Sequence, residues 1–107
     1  MVETAKIQSQ MRKGLLDFVL LAALKKHARY PREMIEDFKQ SGLGIVEGTL
    51  YPLLLRLSRQ GLVSYEWREA SGHPRKYYAL TKKGKEVLRI YEQEWEHIKK
   101  LITSVTT

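Results

Sequence analysis

Hydrophobic residues recur at intervals of three and four positions over much of the chain, which is the spacing of amphipathic helices. The first such stretch predicts a helix over residues 7–26. Gly14 interrupts this stretch with a residue of low helix propensity, so the alternative is a separate, mobile arm over about residues 1–13. A second helix is predicted over residues 31–40, because Tyr30 precedes a proline and Pro31 suits a first helical turn.

A third helix is predicted over residues 47–60, after a short glycine-containing turn at residues 41–44. Two helices joined by such a turn form a helix-turn-helix unit. Pro52 lies inside the third helix and removes one backbone donor, which predicts a late or distorted helix start. One face is made of leucines, namely Leu50, Leu53, Leu54 and Leu57. The opposite face and its flanks carry Gly48, Thr49, Tyr51, Pro52, Arg56 and Arg59.

The period of the pattern changes to two after Gly61, which predicts a β-hairpin. Alternating residues indicate a first strand at residues 62–69 and a second at residues 75–80, with turn residues at 70–74. A hairpin in this position is the wing of a winged helix. Thr81 is suited to cap a last helix that runs from about residue 82 to the C-terminal region.

The last helix carries a seam of apolar residues at alternating spacings of three and four positions. The members of this seam are Leu88, Tyr91, Trp95, Ile98, Ile102 and Val105. A lone seam needs a partner, which is either the first helix of the same subunit or the equivalent helices of a second copy. The seam extends past what a compact winged-helix core can cover, and this favours a homodimer.

These elements predict a mainly α fold with a small β-hairpin (α+β), in which a winged helix-turn-helix domain is followed by a long C-terminal dimerisation helix. We expect residues 1–80 to form the winged helix-turn-helix domain and residues 81–107 the dimerisation helix, both within one compact unit. A chain of 107 residues has room for one domain.

The chain is strongly basic, with a formal net charge of +7, and such a field favours polyanions such as nucleic acid. Ribosomal proteins and proteins that bind anionic membranes also carry an excess of basic residues, so net charge alone does not distinguish these classes from DNA-binding proteins. The longest apolar run, residues 18–24, is too short to cross a bilayer, and we recognise no secretory signal. With no cysteine, disulfides and thiolate metal sites are excluded, and we expect a cytoplasmic protein with no membrane partner.

A helix fits the major groove of DNA, and a basic hairpin beside it suits the phosphate backbone or the minor groove. We therefore predict a double-stranded DNA operator as a partner. The predicted DNA-contacting residues are Thr49, Tyr51, Pro52, Arg56, Arg59, His73, Arg75 and Lys76. The alternative for Arg56 and Arg59 is a solvated helix face, and for the hairpin cations it is an edge protected from aggregation by charge.

The sequence predicts no enzyme, cofactor or metal site. Its three histidines are scattered, and no metal-binding helix motif, phosphate loop or nucleophile motif is present. Glu94 and His97 share a helix face and could hold a metal, but a solvated pair is the simpler interpretation. A dimeric winged-helix module that docks on a protein, without specific DNA readout, stays open as the alternative function.

Four motifs resemble the PadR family of transcriptional regulators in its short form. They are LDFVLL at residues 16–21, EGTLYPLL at 47–54, GLV at 61–63 and RKYYALTKKG at 75–84. The resemblance covers nearly everything from Leu15 onward, and the second and fourth motifs together are quite specific. It implies a dimer joined mainly through the last helix, often with the first helix, whose wings and third helices grip an operator and repress transcription.

The resemblance also implies a planar aromatic small-molecule effector. Some short members of the family bind planar drugs or phenolic compounds, with an aromatic residue of the last helix lining a pocket between the subunits. Trp95 resembles that aromatic residue, and Tyr91 lies beside it on the seam. The alternative for both residues is ordinary packing of the core.

The sequence departs from the family pattern in three places. The usual tyrosine-glycine-tyrosine at the start of the second helix is replaced by YPRE at residues 30–33. Val46 stands where a capping serine or asparagine is common, so the third helix is expected to lack a side-chain cap. The glycines and prolines of the wing are reduced to residues 71–74, which puts His73 at the DNA-facing tip.

Overall fold

The computed structural model describes residues 1–107 as five helices and one β-hairpin. In chain order the elements are α1 (Thr4–Lys13), α2 (Leu16–Ala23), α3 (Pro31–Gln40), α4 (Glu47–Arg59), β1 (Val63–Ala70), β2 (His73–Leu80) and α5 (Lys82–Thr106). The mainly α fold with a winged helix-turn-helix is confirmed. None of the helices combines the length and the apolar character that crossing a membrane requires.

The single helix predicted over residues 7–26 is wrong, because the chain turns between Lys13 and Leu16. The N–H of Leu15 donates to the carbonyl of Arg12 at 2.8 Å, which closes a tight turn at Gly14. Glycine weakens a helix interior, so the break falls there. The alternative of a separate N-terminal segment has the right position, but this segment is helical and contributes no buried residue.

Leucine side chains from α2 and α4 dominate the core, to which α3 adds Met34 and Phe38. Residues at the base of the hairpin and in the first turns of α5 also pack into this core. All four leucines of the predicted inner face of α4 are buried, as expected. Because α4 is held along one face over its whole length, its opposite face is presented as a rigid surface.

The hairpin is tighter than the sequence pattern predicted. Strand β2 begins at His73, two residues earlier than expected, and pairs with β1 from Ala70–His73 down to Val63–Leu80. Ser71 and Gly72 both have positive φ, 52° and 80°, which is the two-residue turn whose twist matches antiparallel strands. The wing is attached to the helices through Arg29, whose N–H and C=O bond to Tyr78 at 2.9 and 2.8 Å.

Thr81 caps α5 as predicted. Its Oγ1 accepts from the N–H of Gly84 at 3.0 Å and donates to the carbonyl of Gly61 at 2.6 Å, so one side chain joins the helix start to the end of α4. No side chain caps α4 at Val46, which confirms that expectation as well.

Candidate nucleic-acid interface

The exposed face of α4 is a stripe of residues spaced four, three and four positions apart, which in a helix lie one above another. We call this set the outward stripe, and it consists of Gly48, Pro52, Leu55 and Arg59. Thr49 and Tyr51 flank it and are also exposed. Leu55 was not among the predicted contact residues, although its spacing from Pro52 and Arg59 already put it on this face.

Pro52 lies well inside α4, so the predicted late helix start is wrong. Hydrogen bonding begins before it, since the N–H of Leu50 donates to the carbonyl of Val46 at 3.0 Å. The ring lies on the outward stripe, and the bond it removes would have gone to the carbonyl of Gly48 on the same exposed side. Water or a ligand can satisfy that carbonyl, which is why the helix tolerates the proline here.

Arg56 is engaged within its own chain. Its two terminal nitrogens donate to both carboxylate oxygens of Asp17 in α2, at 2.6 and 2.9 Å. The hydrogen bonds that Arg56 donates to Asp17 raise the pKa of Arg56 above its ordinary value. Such a bidentate pair fixes the plane of the guanidinium. The structure therefore gives Arg56 a helix-packing contact and does not bring it together with the cations of the wing.

Each cation of the wing lies over an aromatic ring. The guanidinium carbon of Arg75 is 4.4 Å from the ring centre of Tyr30, and Nζ of Lys76 is 4.4 Å from that of Tyr65. Because β2 alternates, these two cations project from opposite faces of the hairpin. Cation–π contact stabilises such side chains in one place while their N–H groups stay available.

A groove of about 460 Å³ runs between the start of α4, the start of α3 and the wing. Three predicted residues, Tyr51, Arg75 and Lys76, line it together. Sequence reasoning missed Arg32 and Trp67, which line the same groove. Trp67 could have been found from strand alternation, since it shares a face with Tyr65. Arg32 could not, because only the packing of α3 against the wing brings it here.

Thr49 lies on the other side of α4, in a second groove of about 370 Å³ against α1. Arg12 and Lys13 line this groove beside it. His73 is exposed at the first position of β2, one residue from the hairpin turn, and Arg59 is exposed at the C-terminal end of α4. The predicted contact residues other than Arg56 thus lie on the exposed face of α4 and on the wing. We call this surface, together with Arg32 at the start of α3, the basic band; it contains Arg32, Thr49, Tyr51, Pro52, Arg59, His73, Arg75 and Lys76.

Four cations of this band have no carboxylate partner. Seven ion pairs engage six other basic residues, namely Lys6, Lys25, Arg29, Arg56, Arg68 and Lys99. Arg32, Arg59, Arg75 and Lys76 take part in none of them. Their charges are not neutralised within the chain, so the band attracts anions.

The seam of α5 is only partly covered by its own chain. Leu88 is buried, and the ring of Tyr91 stacks on Phe18 of α2 with centres 5.4 Å apart. Burial, together with the charge of Asp17, raises the pKa of Tyr91. Trp95 is half-buried, and beyond it exposure rises from 38% at Ile98 to 73% at Val105. The second half of the seam therefore has no intrachain partner.

Comparison with known proteins places this chain in one family. Residues 20–90 match the model of the transcriptional regulator PadR-like family. A PadR-like transcription factor from Bacteroides fragilis is 42% identical over 94% of this chain and 98% of its own, with a TM-score of 0.79. No curated protein matches the chain.

Two further solved structures agree with this assignment. A PadR family regulator from Eggerthella lenta is 31% identical over 95% of this chain and 90% of its own, with a TM-score of 0.84. A PadR-like regulator from Bacillus cereus is 32% identical over 92% and 98%, with a TM-score of 0.82. The winged helix, the basic band and these matches lead to one conclusion: the chain belongs to the PadR-like family of DNA-binding transcriptional regulators.

Proposed function

We propose that the protein is a homodimeric, sequence-specific repressor that a small molecule bound at the dimer interface releases from its operator. In this proposal α4 lies in the major groove, and the wing and the neighbouring helix ends hold phosphates. One observation carries it: Arg75 and Lys76 of the wing line one groove with Arg32 at the start of α3 and Tyr51 of α4, and none of these three cations has a carboxylate partner.

The exposed half of the α5 seam supports a dimer. The apolar spacing continues past the core at Ile98, Ile102 and Val105. Burying these exposed aliphatic side chains against a second copy of the chain would stabilise a dimer. A dimer presents two α4 helices, which suits half-sites one helical turn apart, about 34 Å. A monomer would present one reading helix and half of the cations.

We expect the purified protein to bind DNA from the region upstream of its own gene with strong salt dependence. Each subunit offers four unpaired cations at the band, so a dimer can meet about 6–10 phosphates. Raising salt from about 50 to 200 mM should then weaken binding at least about a thousandfold. A mobility-shift series measures the affinity, and sedimentation at the same protein concentration measures the oligomeric state.

Two outcomes contradict this proposal. One is binding whose affinity does not fall with salt, because the phosphate contacts would then be missing. The other is a monomer at concentrations where the operator is saturated. A protein that binds no duplex at all would favour the alternative module, in which the winged helix docks on a protein and the basic surface serves solubility.

We further propose that the effector stacks on Trp95 between the subunits, and that the resulting change in spacing of the two α4 helices weakens operator binding. Trp95 is half-buried, and the seam beyond it is exposed. Titration with planar probes such as acridine and 2-naphthol should quench tryptophan fluorescence and release DNA. The control is a Trp67→Phe protein, which leaves Trp95 as the one remaining tryptophan. Quenching that is equally strong in Trp95→Phe contradicts the proposed effector site.

A further inference from the structure

The centre of the outward stripe is apolar on a surface that is otherwise cationic and polar. Leu55 is 52% exposed, and the stripe continues toward the N-terminal end of α4 with Pro52 and Gly48. No side chain on the stripe can donate or accept a hydrogen bond until Arg59 is reached. A helix that reads bases by hydrogen bonds would place donors at these positions.

A single exposed leucine is ordinary, so the exposure of Leu55 alone does not indicate a role in DNA binding. Its position on the helix is more informative. Leu55 lies at the middle of the helix face opposite the buried leucines, one turn from the unpaired cation Arg59. When the neighbouring cations meet phosphates, this face enters the groove and loses its water. Burial of an apolar side chain there stabilises the complex only where the side chain meets an apolar group.

The major groove offers one such group, the C5 methyl of thymine. Arginine would instead select guanine, but the arginine next to Leu55 is held by Asp17 through both terminal nitrogens. Gly48 also matters, because a Cβ added there would point into open space, so the bare backbone allows close approach of the helix to the groove.

We propose that Leu55 is a specificity-determining residue that, with Pro52, recognises thymine methyl groups at the centre of each operator half-site. This inference rests on the proposed function, since it assigns base preference to the same DNA-binding surface. It predicts thymine rather than guanine as the base opposite the middle of α4.

The test uses the full-length protein and a pool of random duplexes. The tightest-binding sequence is selected first, and each of its thymines is then replaced by deoxyuridine, which removes the methyl and leaves every hydrogen bond unchanged. We expect one thymine per half-site at which this replacement weakens binding about fourfold, the factor for one buried methyl group. With Leu55→Ala the same replacement should have no effect, because the two changes act on one contact.

Two variants control this experiment. Leu55→Met keeps an apolar side chain of similar size and should retain the uracil penalty. Ile90→Ala truncates an aliphatic residue of α5 that is 64% exposed and does not belong to the seam, and it should leave the penalty unchanged. Thermal melting of all variants verifies that they are folded.

The outcomes separate this inference from the proposed function. A protein that selects no duplex contradicts the proposed function itself. A protein that binds a selected duplex but tolerates uracil at every thymine overturns the role of Leu55 alone. A penalty of equal size in wild type and in Leu55→Ala overturns it too, as does a selected half-site without thymine.

Discussion

We expect Gly84→Ala to lower the free energy of unfolding by about 3 kcal/mol and the melting temperature by roughly 15 °C. An added Cβ at this position would lie 3.0 Å from the carbonyl carbon of Leu62 and closer still to its oxygen, inside van der Waals contact. That carbonyl accepts from the N–H of Thr81 at 3.1 Å, so it cannot move away without loosening the start of α5. Alanine improves helix propensity by about 1 kcal/mol, which offsets only part of this cost.

Gly48→Ala is the matched control for this prediction. Gly48 also lies inside a helix, but a Cβ there meets nothing within 4 Å. We expect this variant to melt at or slightly above the wild-type temperature, because only the helix-propensity gain remains. Both variants are compared by calorimetry at one protein concentration, since the melting temperature of a dimer depends on concentration. A Gly84→Ala protein that melts within about 2 °C of wild type would contradict the packing argument.

Local signals were sufficient to predict most of the secondary structure. Pro31 marks the start of α3, and Thr81 marks the start of α5, because each acts on backbone groups within its own turn. The inner face of α4 followed from periodicity alone. The hairpin turn was predicted too long, because a serine with positive φ is not evident from residue type.

The site residues that were predicted wrongly or missed depend mainly on contacts between segments that are far apart in the sequence. Periodicity placed Arg56 on the flank of α4, but its partner Asp17 is 39 positions away and depends on how α2 packs. Arg32 joins the groove beside the wing for the same kind of reason. Leu55 is different, since helical spacing already put it on the outward stripe. Its side chain offers no hydrogen-bonding group, so it was not among the predicted contact residues.

The engagement of Arg56 and the exposure of Leu55 together change the expected chemistry of base readout. The sequence predicts that Arg56, at the edge of α4, contacts DNA. In the structure Arg56 instead pairs with Asp17 and joins α4 to α2. In the proposed binding mode, phosphate contact is then left to Arg75 and Lys76 of the wing and to Arg32 and Arg59 at the helix ends, which form no ion pair. In the proposed binding mode affinity and specificity reside in different elements, so variants of the two should have different signatures: a weaker salt dependence for the wing, and altered base preference for α4.

The wing carries the larger share of affinity in this scheme, so Arg75→Ala combined with Lys76→Ala should weaken operator binding at least about 100-fold. The double variant removes four cations from a dimer, and a hydrogen bond to a charged group contributes about 1.5 kcal/mol or more when it is fully formed. The slope of log affinity against log salt should also fall by up to about 3.6, which is 0.9 for each lost phosphate contact. Both residues have aromatic partners that stay in place, so the fold should persist.

The control for the wing variant is Arg89→Ala combined with Lys100→Ala, which removes the same two types of charge. Both residues are exposed on the side of α5 that faces away from the seam, and neither forms an ion pair. We expect its affinity to stay within about threefold of wild type at equal salt, since distant exposed charges are screened. Equal losses in the two variants would mean that only net charge matters, and the wing would then have no special role. Wild-type affinity in the wing variant, with the protein still folded and dimeric, would instead favour a winged helix that docks on another protein.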